Sequence, residues 1–151
     1  MNSPTLYELT PIMQEVLASG GTIKLQPRGI SMVPFIRPER DEVFLVHPEQ
    51  KPTVGNIYLF RRKNGKLVLH RLVKIRGEEL IFRGDHQIHR EFGISPSQLV
   101  GVVTNVKRNG RNITTKCLAY YWFQVIALPW CVLTRVMHKL RIKFLKRRQK
   151  S

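Results

Sequence analysis

Three short segments of this 151-residue chain carry side chains suited to covalent chemistry. In Arg28-Gly29-Ile30-Ser31-Met32-Val33-Pro34, Ser31 stands in a Gly-x-Ser turn directly after a strand-like run. Such a turn exposes a hydroxyl and frees backbone N–H groups to meet a developing oxyanion. Taken alone the segment is weak, because most serines beside glycine and proline simply make turns. His70 interrupts the apolar run Leu67–Ile75, where a histidine serves either as a base or as a satisfied structural residue. Asp85 follows Gly84 in Arg83-Gly84-Asp85-His86, an arrangement that equally suits an Asx-turn. Asp85, His86, His89 and Glu91 form a polar cluster, and a D-H-x-x-H run is a conceivable metal ligand set. No further ligand pair accompanies it, so neither a metal site nor a cofactor is expected.

The elements that must position these groups are mostly strands. Runs at Thr22–Leu25, Val43–Val46, Ile57–Arg61, Leu67–Ile75, Leu80–Phe82 and Leu99–Val106 are separated by turn signals. Asn64-Gly65 is the clearest hairpin, since that pair accepts the positive φ of a tight turn. No helix of crossover length lies between the runs, which argues against a parallel doubly wound sheet. The expected fold is mainly β: a small, coiled, mostly antiparallel, partly closed sheet. In residues 1–21, Leu6, Leu9, Met13, Val16 and Leu17 recur at helical spacing. Ser3-Pro4 or Thr10-Pro11 would open that helix and Gly20-Gly21 would end it. With no early Lys or Arg and no continuous apolar core, this stretch does not read as a signal peptide.

Charge is distributed unevenly. The net charge is +16. Residues 1–91 hold fourteen Lys and Arg against all ten acids, leaving +4, whereas residues 92–151 hold twelve Lys and Arg and no acid. Cys117–Leu133 is almost wholly apolar, and His138–Ser151 contains seven Lys or Arg. Tyr120, Tyr121, Trp122 and Trp130 suit a lipid interface, and the basic run suits anionic headgroups. A spanning helix needs about 20 apolar residues, so the stretch is marginal for crossing. The expected domains are thus an N-terminal helix (1–21), a catalytic body (22–115), a membrane-associating or packing helix (116–137) and a basic tail (138–151). Membrane association is preferred over a cytoplasmic body. Nucleic-acid binding is disfavoured because no recognition module accompanies the charge. Two cysteines, Cys117 and Cys131, make no disulfide framework.

Taken in order, GISMVP, VGNIYLF, LVLHRLVKI, IFRGDH and QLVGVV resemble the serine peptidase superfamily that joins type I signal peptidases with LexA-like self-cleaving repressors. The resemblance covers roughly residues 22–107. It implies Ser31 as nucleophile and His70 at the position of the general base. Because that base is histidine rather than lysine, the chain resembles the endoplasmic-reticulum and archaeal branch, whose aspartate falls at Asp85. Gly29, Ile30, Met32 and Pro34 would form the nucleophile turn. The chain departs from signal peptidases at Gly29, where they commonly carry serine, and at Asn56, where Gly-Asp is usual.

The implied activity is a serine endopeptidase that cleaves signal or leader peptides through an acyl-enzyme. His70 would take the Ser31 proton during attack and return it to the leaving amine, with Asp85 orienting the imidazole. The substrate would be a peptide or preprotein lying extended along a strand edge, with small residues before the cut. The alternative is a non-catalytic or self-processing LexA-like binding module. Residues 1–21 are too short to be the DNA-binding domain such repressors carry.

Overall fold

The computed structural model describes residues 9–113, which fall within the first of two units of the chain, Met1–Lys116. The apolar segment 116–137 and the basic tail 138–151 lie outside the described residues, as does Ser3-Pro4.

The described chain is mainly β, with one short helix and an eight-stranded sheet in which every pairing is antiparallel. Helix α1 spans Thr10–Ala18, and the strands are β1 (Ile23–Leu25), β2 (Asp41–Val46), β3 (Ile57–Arg61), β4 (Leu67–Arg76), β5 (Glu79–Arg83), β6 (Glu91–Ile94), β7 (Leu99–Arg108) and β8 (Arg111–Ile113). Their order is β1-β2-β7-β3-β4-β5-β6, with β8 on β7. All six expected runs are strands. β6 and β8 were not foreseen.

Tight turns fix the local register. Asn64-Gly65 joins β3 to β4, with Gly65 at φ +83°. Asn109 and Gly110, both at positive φ, fold β8 back onto β7 as a type I′ pair requires. Long-range pairing then brings β7 between β2 and β3, so both of its long edges are occupied.

Apolar side chains leave the sheet on both faces. In β3, Ile57 and Leu59 join a cluster with Met32, Ile36, Val43, Leu45 and Val103, while Tyr58 and Phe60 join Leu72, Phe82 and Val102. Alternate residues therefore feed two cores, and β3 reads as a continuous apolar run instead of an alternating one. Register shifts interrupt the ladders at Phe44/Leu45, Leu59/Phe60, Leu72/Lys74 and Leu80/Phe82, the kind of irregularity that bends a strand.

Helix α1 begins with Pro11 in its first turn and lays Met13 and Leu17 into the first cluster. Thr10 is its first helical residue rather than its cap, a place taken by Leu9. The helix comes so near β7 that a Cβ on Gly101 would lie 3.1 Å from Leu17 Cδ1 and 3.2 Å from the Val46 carbonyl oxygen. No helix among the described residues is long and apolar enough to cross a membrane.

Candidate active site

The Ser31 turn is held from beneath by the core and from above by the Gly84–His86 turn. Met32 and Ile36 are buried in the first cluster, and the Ile36 N–H donates to the Met32 carbonyl at 2.9 Å. The Phe35 carbonyl accepts from Arg108 Nη2 at 3.0 Å, and Arg108 also grips buried Asp41 through two hydrogen bonds. From the other side, the His86 N–H donates to the Ser31 carbonyl at 2.8 Å. A Cβ on Gly84 would lie 2.7 Å from that same oxygen, so this close approach needs glycine. Gly29 precedes the turn at φ +85°, and the Val33-Pro34 peptide is cis. Among the described residues, neither the Ser31 nor the Met32 N–H donates to a backbone carbonyl.

His70 lies on β4 opposite Tyr58 and is 2% exposed. Its ring is 6.2 Å from the Phe60 ring, on the face of the second core. Nδ1 lies 2.7 Å from Glu91 Oε1, off the line along which a ring N–H would donate. Glu91 is itself clamped by Arg62, with Nε 2.7 Å from Oε2 and Nη2 2.6 Å from Oε1. Burial pushes the imidazole below its usual pKa of 6.5; Glu91 opposes that fall, while the Arg62 charge adds to it. His70 is therefore neutral near pH 7, the form that can accept a proton. Burial pushes the Glu91 carboxyl up, but Arg62 and His70 outweigh it and hold the group below its ordinary range, hence ionised.

Asp85 is placed differently from expectation. Both its oxygens face Arg71, with Nε 2.9 Å from Oδ1 and Nη2 2.8 Å from Oδ2, and the two residues are 0% and 1% exposed. Arg71 Nη1 also donates to the Gly55 carbonyl at 2.7 Å, and its guanidinium carbon lies 5.7 Å from the centre of the Phe35 ring. Consecutive residues of a strand point to opposite faces, so Arg71 cannot share the side taken by His70. The Asp85–Arg71 pair thus braces the turns around Ser31, while the carboxylate beside the imidazole belongs to Glu91. Asn56, in the VGNI segment, is a turn residue whose carbonyl accepts the Leu72 N–H at 2.9 Å.

Ser31 and His70 line one cavity of about 500 Å³, together with Gly29, Ile30, Met32 and Gln87. Among the described residues, no hydrogen bond joins the Ser31 hydroxyl to the His70 imidazole; both side chains border the same cavity. No family model matches the chain, nor does any curated protein or solved structure.

Among the described residues, no group of three or more His, Cys, Asp or Glu is assembled to hold a metal. Asp85 and Glu91, neighbours in the polar sequence cluster, have separate guanidinium partners. The sequence expectation overlooked Arg62 and the approach of Glu91 to His70. Their only sequence signals were the hairpin that Arg62 opens and the density of polar residues around Glu91.

Proposed function

We propose that the protein is a serine endopeptidase of the type I signal peptidase and LexA-like kind, with Ser31 as nucleophile and His70 as general base. The observation that carries this proposal is that Ser31 and the buried His70 line the walls of one cavity. In attack on a peptide carbonyl, Ser31 Oγ bonds to carbon while its proton passes to His70 Nε2. The resulting imidazolium is stabilised by Glu91 at Nδ1. The Ser31 N–H, with the neighbouring turn, is the oxyanion donor. Collapse of the tetrahedral intermediate returns the proton to the leaving amine, and water then repeats the sequence on the acyl-enzyme.

Leu67–His70 of β4 pair with β3 on one side, whereas pairing with β5 starts only at Arg71. The other edge of these four residues, which line the cavity, offers main-chain groups to an extended peptide. That geometry fits an extended peptide; the substrates proposed are signal or leader peptides, and the composition of the segment after residue 116 favours retention at an anionic membrane surface. The test is cleavage of a leader-bearing peptide by the full chain. Cleavage that is abolished in Ser31→Ala supports the assignment, and unchanged cleavage by that variant removes it.

A further inference from the structure

Three cations, Arg28, Arg62 and Lys66, line the Ser31 cavity, and no Asp or Glu does. Arg62 is neutralised by Glu91, which is not among the lining residues. Arg28 and Lys66 are exposed and take no part in an ion pair among the described residues. Both line the cavity that Ser31 and His70 line, so its walls carry uncompensated positive charge. We propose that this cavity takes an acidic segment of an extended peptide, with Arg28 and Lys66 as the residues that receive its carboxylates.

The proposal rests on the assignment of the Ser31 cavity as a peptide site and adds a substrate class to it. A cationic rim draws carboxylates in and repels basic segments, so it selects by sign as well as by shape. The remaining walls favour a peptide over a nucleic acid. They include Met32, Ile36, Leu67, Val68 and Leu69, with no Phe, Tyr or Trp to stack a base. The open edge at Leu67–His70 fits main-chain pairing with an extended strand.

The test uses the full chain and two labelled peptides of alanine and serine, identical except that one carries two glutamates where the other carries glutamines. Fluorescence anisotropy at low salt is expected to show the glutamate peptide binding about tenfold more tightly. In Arg28→Gln/Lys66→Gln, whose exposed positions leave the fold intact by circular dichroism, the two peptides bind equally. Equal binding to the unmodified chain, or no binding of either peptide, overturns the proposal. So does a preference that survives in the double variant, because the carboxylates would then be reading other basic stretches. Tighter binding of oligodeoxythymidylate through the same two residues would reassign the site to nucleic acid. Ser31→Ala retains the glutamate preference while losing cleavage. A preference without any cleavage would fail only the peptidase assignment; Ser31-dependent cleavage indifferent to glutamate would fail only the acidic one.

Discussion

Glu91 Oε1 lies 2.7 Å from His70 Nδ1, across three strands of the sheet. The register explains the meeting: His70 and Leu72 share a face of β4, Leu72 pairs with Phe82 on β5, and Phe82 pairs with Glu91 on β6. Asp85, fifteen residues from His70 in the chain, is engaged with Arg71 instead. Two carboxylates therefore have separable duties, one toward the imidazole and one toward the scaffold.

Those duties separate by mutation. Glu91→Gln should lower kcat by about 10²-fold to 10⁴-fold with little change in KM, because the imidazolium loses its stabilising charge. Asp85→Asn should act first on stability, since it leaves the buried Arg71 charge without its partner, a loss of about 3–5 kcal/mol. Urea melts and steady-state kinetics on both variants check the assignment. A larger kcat loss in Asp85→Asn at unchanged stability would reverse it.

The pH dependence follows from the depressed His70 pKa. The base works when neutral, so kcat/KM should hold down to pH 6.5 and fall along an acid limb centred below that value. Stability shares the sign. Above pH 6.5 the ring is neutral in both folded and unfolded chains; below it the unfolded chain binds the proton first, so folding loses stability as pH falls toward the depressed value. An acid limb centred above pH 6.5 would contradict a buried, neutral base.

Gly84→Ala probes the contact between the two turns. Its Cβ would lie 2.7 Å from the Ser31 carbonyl oxygen and 3.0 Å from Gln87 Cδ, so the Ser31 backbone or the Gly84 turn must shift. A displacement of about 1 Å at a reacting group can cost about 10²-fold in rate. Kinetics should therefore show a loss of that order in kcat/KM, with secondary structure retained by circular dichroism. Full activity would mean that the turn does not position the nucleophile.

Much of the fold was legible because its signals are local. Asn64-Gly65 and Asn109-Gly110 declare their turns, and the apolar runs of β3, β4 and β7 announce buried strands. β6 escaped because Glu91-Phe92-Gly93-Ile94 is only four residues long, has Gly93 at φ +70°, and gains its strand character from pairing with β5. Losing β6 also hid Glu91, whose approach to His70 depends on the order of strands. Ser31 and His70 stood out by type and context. The partner of each carboxylate did not, because Arg62 meets Glu91 across 29 residues of chain and Arg71 meets Asp85 across 14, contacts that only the folded strand order brings together.

The most direct test is covalent labelling of the full chain with a fluorophosphonate, followed by peptide mass spectrometry. The account predicts a single phosphonyl adduct on Ser31 Oγ, formed with displacement of fluoride and abolished in His70→Ala. No adduct at Ser31, or labelling undiminished when His70 is replaced, would contradict it.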